Sequence, residues 1–413
     1  MMSLVASVLC FTVLLAWLNE RLLRLPLTVG LMGLSLGVSL LLVAADHLGF
    51  GLRAPAAALV SRLHFRHALL DGMLSFLLFA GALHVDLGAL REQKLTVAVL
   101  ALVGTVLSTL LLGGLSFLLF AALGLHVPLP VCLLFGALVS PTDPIAVLAM
   151  LKDARAPVAL FTQVAGEALF NDGVGIVLFV TLSDLVGGDT GTGGLHPGPV
   201  AVLLLREVGG GLGLGVLLGG ACFALLRSVR NEKVELLLTL ALAAGSWELA
   251  HRLGVSGPLA VVAAGILIGN LGREHAMSHR GREVLDTFWE LIDEILNALL
   301  FAMIGLELLV LELKPLFLLA ATLVVPLALL ARLISLALPA VVLRAAGAGR
   351  LPLGLFCWGG LRGGISVALA LSLPDGPFRE LLLVATYGIV GFSVLVQAPT
   401  VPPLIGRTLR REA

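Results

Sequence analysis

The stretch "LVSPTDPIAVLAML", Leu138 to Leu151, decides how this chain folds. Apolar residues run on both sides of it, and in its middle stand Pro141, Thr142, Asp143 and Pro144. Proline has no N–H to give and crowds the preceding turn, so one helix stops here and another starts after Pro144. The chain has 413 residues, 59% of them hydrophobic and 13% charged, with a mean hydropathy of +1.09. That is too little polar surface for a water-soluble protein of this length, so the interruption lies within a bilayer. There the freed backbone groups have no water to bond, and each one left unsatisfied costs several kcal/mol. Something else in the chain has to satisfy them.

Working outward, we count about thirteen apolar segments, each near the roughly 20 residues that a bilayer crossing needs. They are 2–18, 27–44, 68–85, 95–123, 130–151, 157–185, 200–226, 233–252, 256–271, 284–309, 315–344, 352–373 and 379–405. The expected class is an all-α polytopic membrane protein, a single membrane domain over 1–413. Met2–Leu18 lacks a basic start and a small-x-small cleavage site, so it reads as a first span and not as a signal peptide. Net charge is zero, which gives no case for nucleic acid. Cys10, Cys132, Cys222 and Cys357 sit far apart in apolar runs and read as small hydrophobes, with no disulfide or metal cage.

With the N-terminus outside, the inner segments carry most of the basic residues, among them Arg21, Arg24, Lys152, Arg155, Arg227, Arg230, Lys233, Arg407 and Arg410. The outer loops carry Arg53, Arg62, Arg66, Arg252, Lys314 and Arg379. This positive-inside bias predicts an odd number of spans and a cytoplasmic C-terminus. The loop "GGDTGTGGLHPGP" (187–199) reads as an outer connector. The run "GGGLGLGVLLGG" (209–220) reads as a close-packing helix face, since no strand precedes it to make a nucleotide fingerprint.

A second interruption occurs in "CWGGLRGGISVAL", Cys357 to Leu369, at Gly359–Gly364 around Arg362. The breaks fall in the fifth and twelfth spans. An odd offset inverts a repeat across the membrane, so the chain divides into inverted six-helix repeats, about 2–185 and 233–405, with 200–226 as linker. Paired interrupted helices point to a transporter site at the midplane. If spans five and twelve cross at their breaks, freed helix N-termini, each with about half a positive charge, and freed C-termini, with about half a negative one, meet in pairs. Asp143 then offsets the positive ends, Arg362 sits by the negative ends, and freed carbonyls such as that of Thr142 can hold a cation.

The sixth span carries "GEALFNDGVGIVLF", Gly166 to Phe179. Glu167, Asn171 and Asp172 lie deep within it, where a charge is expensive and so functional or paired. Glu167 and Asn171 share a face, and Asp172 is rotated one step further. By count, Glu167 is expected to pair with Arg362. Asp172 is then the acid facing the cavity, holding a proton or a metal cation in turn, with Asn171 as the donor that orients it. In the tenth span, Glu290, Asp293 and Glu294 recur at helical spacing and are expected to line a cytoplasmic funnel that concentrates cations. Arg332 and Glu307 receive no role. His84 and His126 read as interfacial residues.

Together, "SPTDPIAV", "GEALFNDGVGIVLF", "FWELIDEILNALLFAMIGLEL" and "GLRGGISVALALSLP" resemble the prokaryotic NhaP-type sodium/proton antiporters of the monovalent cation:proton antiporter family. The resemblance covers essentially the whole chain. It implies thirteen helices in inverted six-helix repeats, a homodimer, and a core domain moving against a dimerisation domain. It implies an ion site at Thr142, Asp143 and Asp172 with Asn171 beside them, and a buried structural pair, Glu167 and Arg362. Two positions depart from the family pattern: Ala168 stands where a serine hydroxyl usually ligates the ion, and Ala80 stands where the third helix often has an acid.

The expected function is antiport of Na⁺, and also Li⁺, against H⁺ in the inner membrane of a prokaryote, one for one and without net charge movement. No cofactor is expected beyond the transported ions. A K⁺/H⁺ antiporter is the rival within transport. An intramembrane enzyme is disfavoured because no metalloprotease, paired Gly-Asp or Ser/His motif falls in a span. A channel would not need a titratable acid at crossed breaks.

Overall fold

The computed structural model describes residues 2–51, 55, 58, 72–187, 197–311, 314–347, 351–374 and 376–412. The start of the expected third span, most of the 187–199 connector, and Arg53, Arg62 and Arg66 lie outside the described residues. Besides the short connecting helices Leu87–Glu92 and Arg273–His275, the described helices are α1 (Met2–Leu18), α2 (Leu27–His47), α3 (Leu74–Leu83), α4 (Lys94–Ala122), α5 (Leu129–Val139), α6 (Ile145–Asp153), α7 (Val158–Gly187) and α8 (Pro197–Ser228). They continue as α9 (Glu232–Leu253), α10 (Gly257–Leu267), α11 (His279–Glu307), α12 (Pro315–Ala345), α13 (Leu353–Trp358), α14 (Gly364–Leu371) and α15 (Arg379–Arg410). α5 with α6, and α13 with α14, each form one interrupted crossing, so these helices make thirteen. Seven are long and apolar enough to cross a bilayer unbroken. No strand occurs among the described residues, only one isolated antiparallel bridge between Asp143 and Leu361.

Helix ends follow local chemistry. Asn231 caps α9 through the Lys233 N–H (3.0 Å), and Ser278 caps α11 through the Gly281 N–H (3.0 Å), satisfying donors that the first turn leaves free. α9 ends at Gly254 in the left-handed region, φ 63°, which costs glycine little. α4, α10 and α15 contain or continue into π-helical turns, at Val99–Gly104, Ile268–Gly272 and Ser393–Gln397.

Packing pairs match when the two halves are exchanged. α2 lies on α11 as α10 lies on α3. α4 lies on α5 as α12 lies on α13, and α6 on α7 as α14 on α15. Small residues let backbones touch. A side chain at Gly136 would strike the Thr109 carbonyl of α4, and one at Gly305 would strike Ser35 of α2. In the glycine run of α8, Gly211 and Gly215 lie against the carbonyls of Ser256 and Ala260, so the run is a packing face.

Buried apolar residues form two clusters. One joins α1, α2, α4–α7 and α12–α15 with the second half of α11; the other joins α3, α8, α9, α10 and the first half of α11 around Trp289, with Val97 of α4 and Leu169 of α7. Trp289 donates its ring N–H to Thr239 at 3.1 Å. Of the cysteines, Cys132 and Cys222 are buried, but Cys10 is exposed, as suits a thiol on an outer helix of a bilayer protein.

Candidate ion-binding site

The two interruptions pass each other in extended conformation, joined where the Asp143 N–H donates to the Leu361 carbonyl at 2.8 Å. Asp143 Oδ1 accepts the Ile145 N–H at 3.0 Å and so caps α6. A Cβ on Gly363 would collide with the same carboxylate. Asp143 therefore lies against the start of both half-helices, α6 and α14, where their dipoles favour negative charge.

The opposite ends are satisfied differently. Arg362 Nη1 donates to the carbonyls of Ser140 (2.6 Å) and Pro141 (2.9 Å), the groups freed at the end of α5. At the end of α13, Gln397 Nε2 donates to the Trp358 carbonyl at 3.1 Å and Arg332 Nη2 to that of Phe356 at 3.4 Å. Ser393 Oγ accepts the Arg362 N–H at 2.7 Å. The π-turn of α15 thus brings two side chains to the second break.

Glu167 pairs with Arg332, not with Arg362. Nη1 and Nη2 of Arg332 donate to Oε1 and Oε2 at 2.8 and 2.9 Å, and each side chain is 4% exposed. Arg332 lies midway along α12, level with Glu167, whereas Arg362 is drawn to the carbonyls of the break. Asn171 also departs from its expected part. Its Nδ2 donates to Thr142 Oγ1 (2.7 Å) and Glu167 Oε1 (3.1 Å), and its Oδ1 accepts the Thr142 N–H (3.3 Å). No bond to Asp172 is among these. One turn separates Asn171 from Glu167, so it ties the helix pair to the break, while Asp172 is rotated away.

Asp172 is 6% exposed, and its Oδ1 has no hydrogen-bond partner. It lines a cavity of about 370 Å³ together with Thr142 and Asp143. Toward one end of the bundle the same cavity reaches Lys152, Glu290 and Asp293. Asp293 Oδ1 accepts from Asn297 at 3.1 Å. Glu294 does not belong to this wall: it is exposed, one residue round the helix from Asp293. Ala80 lines the cavity, and Ala168 borders a separate void of about 10 Å³ beside Thr142, Asp143 and Glu167.

The sequence reading missed Arg332, Ser393 and Gln397. A lone arginine in the middle of an apolar span was signal enough to require a buried partner for Arg332; nothing local marked the other two. Chemically, a hydroxyl and two carboxylates offer only oxygen donors, which suits a hard cation, and each carboxylate can hold a proton instead.

A family model described as "Sodium/hydrogen exchanger, transmembrane" matches residues 8–407. The Na⁺/H⁺ antiporter NhaP of Pseudomonas aeruginosa is 46% identical, over 98% of this chain and 97% of its own. The Na⁺/H⁺ antiporter NhaH of Halobacillus dabanensis is 37% identical over 83% of each. The structure of the sodium proton antiporter MjNhaP1 from Methanocaldococcus jannaschii superposes with a TM-score of 0.75 over 98% of both chains at 21% identity. By family match and by full-length similarity, this multi-pass membrane protein belongs to the sodium/hydrogen exchanger family.

Proposed function

We propose that the chain exchanges Na⁺ for H⁺ across a prokaryotic inner membrane, one ion for one proton, by alternating access. The observation that carries this reading is the unpartnered carboxylate oxygen of Asp172 in the wall of a cavity that also contains Asp143 and Thr142. Relatives with high identity are named Na⁺/H⁺ antiporters.

Asp172 is the exchanging group. Asp143 stays charged as the cap of the crossed half-helices, Thr142 supplies oxygen, and Asn171 holds Thr142 in place against Glu167. With one mobile titratable group, the site carries either one cation or one proton and moves no net charge. Cation and proton then compete, so apparent cation affinity weakens as pH falls.

The N-terminus lies outside and the C-terminus in the cytoplasm, a reading that the bias of the basic segments supports, so the cavity end at Lys152, Glu290 and Asp293 faces inward. The repeats 2–185 and 233–405 flank the linker helix 200–226, and the chain works as a homodimer in which a core domain moves against a dimerisation domain. Ala80 and Ala168 offer no side-chain oxygen to the ion, so ion choice rests on the remaining oxygens; Li⁺ is taken beside Na⁺, and K⁺/H⁺ exchange is the second reading.

The test is cation-driven proton movement in proteoliposomes with Na⁺, Li⁺ or K⁺, with and without an imposed potential. Wild type is expected to respond to Na⁺ and to ignore voltage; a charge-moving cycle would feel about 2.3 kcal/mol per charge per 100 mV. Asp172→Asn is expected to abolish exchange while the protein still folds. Exchange retained by that variant would remove Asp172 from the mechanism, and a voltage-dependent end-point would overturn the one-for-one cycle.

A further inference from the structure

Ser366 stands in the first turn of α14 with 1% exposure, and its hydroxyl has no hydrogen-bond partner in the protein. Several buried helical hydroxyls bond back to a carbonyl of their own helix: Ser140 to Gly136 (2.7 Å), Ser335 to Arg332 (2.9 Å), Thr386 to Leu382 (2.7 Å). That is the ordinary resolution for a helical serine. The hydroxyls of Thr12, Ser116, Ser246 and Tyr387 have no partner either, but none of them lines the cavity of Asp172. Of the residues three and four before Ser366, Gly363 is the cap of α14 and Arg362 belongs to the break, and the hydroxyl bonds to neither carbonyl.

A buried hydroxyl without a partner calls for an explanation, and its position supplies one. Ser366 lines the same cavity as Thr142, Asp143 and Asp172. Two atoms in this wall, Ser366 Oγ from α14 and Asp172 Oδ1 from α7, are both buried and both unpartnered. A proton needs only the carboxylate. A cation that has shed its water needs several oxygens at once.

We propose that Ser366 Oγ is a ligand of the transported cation, completing from the α14 side the oxygen set of Thr142, Asp143 and Asp172, and that it sets cation affinity without taking part in proton binding. This rests on the antiport reading above. It gives the second break a direct part in ion binding: α14 brings a hydroxyl where α6 brings a carboxylate.

The experiment measures the Na⁺ dependence of proton movement at two pH values in proteoliposomes, for wild type and for Ser366→Ala, Ser366→Cys and Ser366→Thr. Na⁺-induced thermal stabilisation of the purified proteins is measured in parallel. Ser366→Ala and Ser366→Cys, whose thiol is a poor ligand for a hard cation, should raise half-saturating Na⁺ about five-fold or more, the loss of one hydrogen-bond-sized contact. They should leave the maximal rate within about two-fold and reduce the Na⁺-induced stabilisation. Ser366→Thr keeps the hydroxyl and should stay near wild type. Unchanged Na⁺ dependence in Ser366→Ala or Ser366→Cys overturns the assignment. So does a shifted pH profile with unchanged Na⁺ affinity, which would make the hydroxyl a partner of Asp172 alone. Should Ser366→Ala fail to fold, the Cys and Thr variants decide in the same way. If wild type itself shows no cation-driven proton movement, the antiport reading fails and takes this inference with it; if wild type exchanges normally and the variants match it, only the Ser366 assignment fails.

Discussion

Arg332 and Arg362 are both buried, both arginine, and both within reach of the same break, yet they are neutralised in different ways. Arg332 faces a full carboxylate, Glu167, in a two-pronged fork. Arg362 faces the partial charges of two backbone carbonyls at a helix end. The first pair is a fixed joint between α7 and α12. The second is part of the break itself and exists only while the two interrupted crossings remain crossed. Inside a bilayer, a charge can be stabilised by another charge or by a bare helix end; Arg362 takes the second solution, and Arg332 takes the first while also donating to the Phe356 carbonyl.

The sharpest way to break the comparison is Glu167→Gln. It strands Arg332 without its counter-charge and should destabilise the protein by about 3–5 kcal/mol, measured by melting in detergent. Combining it with Arg332→Gln should recover part of that loss, with a coupling of about 1–3 kcal/mol, whereas combining it with Arg362→Gln should be nearer to additive. Coupling to Arg362 as strong as to Arg332 would show that the two arginines are not distinct.

A smaller effect is expected from Arg362→Lys. The charge stays, but a lysine ends one atom short of Nη1, the single nitrogen that donates to both carbonyls. A loss of about 1–3 kcal/mol is expected by the same melting assay, with exchange slowed as the crossing loosens. Arg362→Gln should cost more than Arg362→Lys; the reverse order would mean that the positive charge contributes nothing at the end of α5.

The smallest effect belongs to the funnel, where neighbouring acids are compared instead of neighbouring arginines. Glu294→Gln should change stability by less than about 0.5 kcal/mol and leave exchange unchanged, since Glu294 is exposed and off the cavity wall. Asp293→Asn should weaken apparent cation affinity at low ionic strength and less so at high salt, because screening removes the attraction. Equal effects of the two substitutions would return Glu294 to the funnel.

Much of this is legible in the sequence. Proline pairs and glycine clusters mark breaks by local chemistry, so both interruptions, the crossed geometry, and the placing of Asp143 and Arg362 at opposite helix ends followed from the sequence. The partner of Glu167 did not. Glu167 and Arg332 are 165 residues apart, and which buried arginine meets which buried acid depends on the depth and rotation of separate helices. Periodicity reports the face a residue takes on its own helix, not the height of its neighbour. The same limit explains Asn171, whose spacing from Glu167 was read correctly but whose link to Thr142 spans two helices, and Glu294, which shares a stripe with Asp293 but falls just off the concave wall. The π-turn that delivers Ser393 and Gln397 leaves no composition mark.

The distances along the chain also impose a schedule on synthesis. Glu167 and the freed carbonyl of Ser140 belong to the half made first, while their arginines lie 165 and 222 residues later. At a ribosomal rate of roughly 5–20 residues per second, the first half waits on the order of ten seconds or more for them. Throughout that interval a carboxylate and a severed helix end sit in the nascent protein without their partners. The newly inserted half is therefore a species that lipid alone does not stabilise, and its persistence depends on protonation, on water, or on the insertion machinery that still holds it.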